Sequence, residues 1–201
     1  MNKILSAIKD FYNKNKNSIL KPSAVLLAIC VVITAALGLT NKFTAPTIAE
    51  LEKQSQQETM ENIIKADEYL QKEIKLDSTV TYYEAVTDDI AVGYIFITSA
   101  KGYGGDVSVM TAIKPDATVY AVDILDASNE TPGLGQNVTK KSFYSQFADK
   151  SSEITVVKNG AEGNQINAVT GATISSRAVT KAVNQALSYF NQISQTPKEA
   201  K

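Results

Sequence analysis

The chain has 201 residues, with 20 Lys plus Arg against 21 Asp plus Glu, no histidine, no tryptophan and one cysteine. Those absences exclude a Ser-His-Asp triad, a Cys-His dyad, a histidine-ligated zinc or haem and a cysteine-held iron–sulfur cluster; a single cysteine also forbids an internal disulfide. Near-neutral charge gives no support to nucleic-acid binding, no metal site is expected, and an unaided enzyme would be left with carboxylates, Tyr or Lys.

Residues 1–22 read as a basic segment, with Lys3, Lys9, Lys14, Lys16 and Lys21 against Asp10 alone, a net of +4. Residues 23–40, SAVLLAICVVITAALGLT, carry no charge. As a helix this run spans about 27 Å, close to a bilayer core. The remainder holds 15 basic and 20 acidic residues, a net of −5. The positive-inside rule then predicts a single-pass protein of the cell membrane, its N-terminus cytoplasmic and its C-terminal domain extracytoplasmic. A cleaved signal peptide is the competing reading, because Ala35, Ala36 and Gly38 are small; the apolar run is longer than an ordinary signal core, which favours a retained anchor. A lipoprotein reading of Cys30 is weaker still, since bulky Ile29 precedes it and further uncharged residues follow.

Residues 41–75 read as a helical connector in which Ile48, Leu51, Ile63, Ile64 and Leu70 recur among Glu, Gln and Lys. Residues 41–201, 161 in all, are long enough for one globular domain with its own core, and 76–201 read as its main part. Strands are predicted at Tyr82–Val86, at Ile90–Thr98, around Val107 and Val109, and at Val119–Leu125, with Lys114-Pro115-Asp116 as a turn. A short helix follows around Phe143, Tyr144 and Phe147, then a strand near Ile154–Val157 and a turn at Asn159-Gly160. Apolar residues at Ala178, Val179, Ala182, Val183, Ala186, Leu187 and Phe190 keep a three-four spacing, so a final amphipathic helix is expected. The fold class is α+β, an antiparallel sheet flanked by helices.

Three segments carry the candidate chemistry. Thr170-Gly171-Ala172-Thr173-Ile174-Ser175-Ser176 sets hydroxyls and a glycine directly before the last helix, where unpaired N–H groups and a partial positive charge stabilise an anion. Capping alone would explain such hydroxyls, and Ser175 is the residue expected to cap. Gly102-Tyr103-Gly104-Gly105 joins two strands, and Glu130-Thr131-Pro132-Gly133-Leu134-Gly135 follows another; glycine at this density lets backbone approach a ligand, and Pro132-Gly133 suits a type II turn. Tyr103 could stack on an aromatic ligand. Neither loop has a GxGxxG or Walker pattern, and each alone is a weak signal.

Taken in order, the anchor, GYGG, ETPGLG and TGATISS resemble the G subunit of the Rnf electron-transport complex, related to the C subunit of the sodium-pumping NADH:quinone reductase. The likeness runs from the anchor to the last helix. It implies a membrane-anchored flavoprotein subunit that relays electrons in an ion-translocating ferredoxin:NAD oxidoreductase complex, rather than a stand-alone catalyst. It also implies FMN attached covalently, as a phosphoester on Thr173, by a dedicated flavin transferase, with the other complex subunits as partners. Thr170, Gly171, Ala172 and Ser175 would surround the attachment point, and Gly102, Tyr103, Gly104, Gly105, Glu130, Thr131, Gly133, Leu134 and Gly135 would lie near the flavin ring. Glu130 could instead fix its loop. The family pattern has Asp where this chain has Asn167, and often His where it has Ser128. From the residues upward, a small surface at Gly171 and Ala172 should leave the Thr173 hydroxyl exposed. The rival readings are a stand-alone extracytosolic flavin domain and a non-redox anchored binding module in which TGAT is only a helix cap.

Overall fold

The computed structural model describes residues 2–75 and 79–195. The chain divides into two compact units, Met1–Gln54 and Ser55–Lys201. A single helix, α1, runs Asn2–Ile63 and contains Pro22 and Pro46, each of which lacks the N–H for a helical bond. Between Leu20 and Ile63 an 18-residue window reaches a mean hydropathy of 2.4, and none of that window is buried. Val25, Leu26, Leu27, Val31, Val32 and Leu37 are all exposed there. Only an apolar surrounding compensates such a surface, and the length suffices to cross a bilayer.

In the second unit, five strands follow one another in space as in sequence, all antiparallel: β1 (Glu68–Lys75), β2 (Thr79–Thr87), β3 (Ile90–Lys101), β4 (Asp106–Ile113) and β5 (Val119–Asp126). Strand β1 lies where the sequence reads as helical connector, which is a correction. Its Gln, Lys and Glu are helix formers, but they are the polar residues of an edge strand, where charge also discourages pairing with another chain. Pairing with β2 decides the matter, from Glu68 opposite Val86 to Lys75 opposite Thr79, with Lys72 forming an ion pair with Glu84.

After β5 come a 3-10 turn at Gly135–Thr139, the one-turn helix α2 (Lys141–Tyr144) and a second 3-10 turn at Ser145–Phe147. Then β6 (Thr155–Val157) pairs in parallel with β7 (Gln165–Asn167), and α3 runs Thr173–Gln195. This last helix starts earlier than its apolar pattern predicts, because its first turn is polar.

Helix α3 packs across β3 and β4. Val179, Val183, Leu187 and Phe190 meet Phe96, Val107, Val109, Ile113 and Val122 in the main core. Each fully buried Val, Leu or Phe stabilises by roughly 1.5–3 kcal/mol. Thr98 lies under the helix and donates to the Ala182 carbonyl at 2.9 Å. A smaller core on the other sheet face joins Met60, Ile63 and Ile64 at the end of α1 to Ala85, Ile95, Met110 and Ala112. There Tyr69 donates to the Ile64 carbonyl at 2.6 Å, and burial pushes its phenol above the ordinary value. The main core therefore fixes α3 along its length, and with it the position of the helix's first turn.

Candidate functional site

Strand β7 delivers the chain to α3 through one tight turn. Ala172 donates to the Val169 carbonyl at 2.9 Å, and Gly171 has φ +78°, the third-position conformation of a type II turn that glycine adopts without strain. Ser176, fully buried, accepts from the Val169 N–H at 2.9 Å and donates to the Ala172 carbonyl at 2.9 Å. The same carbonyl takes the first helical bond, from the Ser176 N–H at 2.9 Å. Ala172 thus occupies the N-cap position and has no side-chain oxygen to cap with.

The expected cap, Ser175, is turned away from the helix end: it is buried and donates to Glu130 Oε2 at 2.5 Å. That corrects the reading of Ser175 as a capping residue: it is the third residue of α3, inside the helix, and among the described residues no N–H donates to its oxygen. Among the described residues, nothing pairs with the backbone N–H groups of Thr173, Ile174 and Ser175 or with the Thr173 hydroxyl. Three open donors and the helix dipole make this turn receptive to an anion. Thr173 is half-buried rather than standing on open surface.

Glu130 ties the three motifs together. It is 1% exposed, and its Oε1 accepts from the Gly104 N–H at 3.1 Å while Oε2 takes the Ser175 hydroxyl. Neither of the two ion pairs among the described residues involves it. The glycines are shaped around this carboxyl. A Cβ on Gly102 would collide with Oε1, one on Gly104 with the Asn129 carbonyl, and one on Gly135 would lie 2.5 Å from Oε2 and 2.9 Å from Ser175 Oγ. At Gly105 it would meet the Asn129 side chain at 2.6 Å. Four of the expected ligand-approach glycines therefore make room for Asn129 and Glu130. Gly133, with φ +75°, closes the expected Thr131–Leu134 turn, in which Leu134 donates to the Thr131 carbonyl at 3.1 Å.

The three segments enclose a cavity of about 540 Å³, within the usual range for a small-molecule site. Tyr103, Glu130, Thr131, Leu134 and Gly135 line one part, and Gly171, Ala172, Thr173, Ile174 and Ser175 the rest. Gly102, Gly104, Gly105 and Gly133 lie outside the lining, as does Thr170, which borders a second groove beside Asn167, Lys140 and Gln146. Tyr103, Leu134 and Ile174 are 71%, 48% and 52% exposed, so the cavity has an apolar rim built from all three motifs. Ile174 is not among the contacts expected from sequence. Its signal there is an apolar residue off the buried stripe of α3. An uncapped helix start beside an apolar rim suits a ligand with a phosphate at one end and a flat ring at the other.

A family model described as "FMN-binding domain" matches residues 102–188, and one described as "RnfG N-terminal region" matches residues 8–63. The G subunit of the proton-translocating ferredoxin:NAD(+) oxidoreductase complex of Clostridium ljungdahlii is 36% identical over 177 residues, covering 87% of this chain and 93% of that protein.

The chain belongs to the RnfG family.

The Na(+)-translocating counterpart of Acetobacterium woodii is 33% identical, with coverage of 88% and 93%. The G subunit of the ion-translocating oxidoreductase complex of Methanosarcina acetivorans is 30% identical, with coverage of 88% and 97%. Among solved structures, the C subunit of the Na(+)-translocating NADH-quinone reductase of Parabacteroides distasonis superposes with a TM-score of 0.52 at 23% identity, over 61% of this chain and 66% of that one. Shewanella oneidensis NqrC gives 0.52 at 22% identity, over 61% and 68%. These likenesses show a shared fold. Asn167, where the family pattern has Asp, accepts from the Ala161 N–H through Oδ1 at 3.1 Å. Its backbone is clamped by the Gln146 amide, which accepts from Asn167 N–H at 2.8 Å and donates to its carbonyl at 3.2 Å. Either Asn or Asp has an oxygen that could accept from the Ala161 N–H, so this contact does not require the amide.

Proposed function

We propose that this chain is the membrane-anchored G subunit of an ion-translocating ferredoxin:NAD(+) oxidoreductase complex, relaying electrons through FMN joined by its phosphate to Thr173. The observation that carries the reading is the first turn of α3, whose N–H groups and Thr173 hydroxyl are left without partners at the wall of the cavity. A phosphodiester on Thr173 keeps one anionic oxygen, and the helix N-terminus favours that charge. Bound FMN would supply the redox chemistry, for which a chain with one cysteine, no tryptophan and no histidine to ligate a redox metal has little of its own. The protein's part is to hold the ring between Tyr103, Leu134 and Ile174, and to keep the Thr131–Leu134 turn against it.

The lysines of residues 1–22 support an orientation with the N-terminus in the cytoplasm and the flavin domain on the other side. The apolar run of α1 has no Asp, Glu, Lys, Arg or His, so ion movement belongs to partner subunits. A flavin transferase is the partner required for maturation.

The test is direct. Full-length chain produced with a flavin transferase is run on a denaturing gel under blue light and weighed intact. The wild type should fluoresce and gain the mass of one FMN residue, and Thr173→Ala should do neither. A wild-type chain of unmodified mass removes the reading.

A further inference from the structure

We propose that Glu130 is the positioning residue for flavin transfer: through Ser175 it fixes the first turn of α3 in the register that presents the Thr173 hydroxyl. The inference rests on the attachment reading above. Its basis is the buried bridge itself, in which one carboxyl joins the Gly104 N–H on the GYGG loop to Ser175, two residues beyond the acceptor. A buried carboxyl without a cation beside it has to be held by donors, and these two are the ones present. The bridge has a second consequence. By tying Ser175, the third residue of α3, to the GYGG loop, Glu130 holds the first turn in place while its three N–H groups stay open for phosphate. The shaping of Gly102 and Gly135 around both oxygens shows that the surroundings are built for a carboxyl in that place.

The reaction served is phosphoryl transfer. The bond from Thr173 Oγ1 to the FMN phosphorus forms as the anhydride bond of a flavin dinucleotide breaks; the nucleoside monophosphate leaves, and the hydroxyl proton passes to a base of the transferase. Glu130 touches neither reacting atom and acts only by placing one of them. Positioning of this kind governs turnover more than encounter.

The experiment measures flavin incorporation into the full-length chain by purified flavin transferase, as initial rates of in-gel fluorescence over a range of chain concentrations. Ser175→Ala and Glu130→Ala should each lower kcat by about tenfold or more while KM stays within about twofold. The double variant should be no slower than Glu130→Ala, because both remove one bridge. Glu130→Gln should keep kcat within about threefold, since its carbonyl accepts from Gly104 and its amide donates to the Ser175 oxygen. Circular dichroism checks folding, and Ser175→Ala, which removes a single oxygen, carries the test if Glu130→Ala does not fold. Wild-type kcat in Ser175→Ala overturns the proposal, as does a Glu130→Gln as slow as Glu130→Ala. Failure of the wild type to take up flavin overturns the attachment reading instead.

Discussion

Two short polar loops of this domain solve the same problem in opposite ways. In the β4–β5 hairpin, Lys114–Thr118, the Asp116 carboxyl accepts from both the N–H and the hydroxyl of Thr118, at 3.0 and 2.6 Å. Lys114 donates to the Thr118 carbonyl through its N–H and pairs with Asp149 at 2.7 Å. Polar groups are matched within the loop or just beside it. In the Val169–Ser176 segment the matching is as careful for Ser175 and Ser176, yet the hydroxyls of Thr170 and Thr173 and three N–H groups have no partner among the described residues, and of the two Thr side chains Thr173 lines the cavity. A loop that pairs its inner hydroxyls and leaves the one at the cavity wall open is what the proposed attachment of a ligand there would require. The contrast distinguishes the two loops more sharply than residue type does, since both contain Thr.

The largest test of that contrast is Thr173 itself. Thr173→Ala should abolish covalent flavin while changing stability within about 0.5 kcal/mol, because the hydroxyl holds nothing in the fold. Thr173→Ser should restore the fluorescent band, and failure to do so would mean more than a hydroxyl is needed there. Next is Gly135→Ala, whose methyl would lie 2.5 Å from Glu130 Oε2 and 2.9 Å from Ser175 Oγ. Overpacking of this kind costs about 1–3 kcal/mol, read as a lower denaturation midpoint, and flavin incorporation should slow with it. Gly171→Ala is milder. Its φ of +78° costs an L-residue about 1–2 kcal/mol, and Leu134 at 3.1 Å can shift to admit the methyl. A Gly171→Ala chain as stable as the wild type would show that the turn can re-form in another geometry.

Much of this was legible beforehand, for identifiable reasons. The apolar stripe from Ala178 to Phe190 names the buried face of α3, and all seven of its residues are buried. Pro132-Gly133 and Asn159-Gly160 announce turns because proline and glycine restrict or extend φ locally. Strand β1 was hidden, since its helix-forming residues become a strand only through β2, a partner the local pattern does not contain. That Glu130 could fix its loop was legible, but the groups it joins were hidden for a similar reason. Its partners Gly104 and Ser175 stand 26 and 45 residues away, so glycines that look like room for a ligand are room for a carboxyl. Ser175 and Ser176 are adjacent and chemically identical in the sequence. Only the fold shows that one faces Glu130 and the other the Val169 N–H.

The smallest effect belongs to the hairpin, and it sets the scale for the rest. The Thr118 hydroxyl, then its N–H, hold the Asp116 carboxyl below its ordinary value of 3.8, with Lys114 adding to the effect. A carboxyl lowered on folding contributes stability that is fully present above the unfolded value and is lost as pH falls through the lowered one. Thr118→Val removes the larger cause. Its thermal midpoint should therefore lie slightly below that of the wild type above about pH 5 and converge on it in acid, because protonated Asp116 no longer needs the hydroxyl. An NMR titration of the Asp116 carboxyl should move upward toward the ordinary value in the variant; an unchanged titration would mean that the backbone N–H alone holds the charge. Since the carboxyl stands in solvent, the difference should be the least of those named here, and flavin incorporation should not change at all. A loop whose polar groups are already matched has only its own small stability to lose, whereas the function proposed for the domain rests on the open hydroxyl of Thr173.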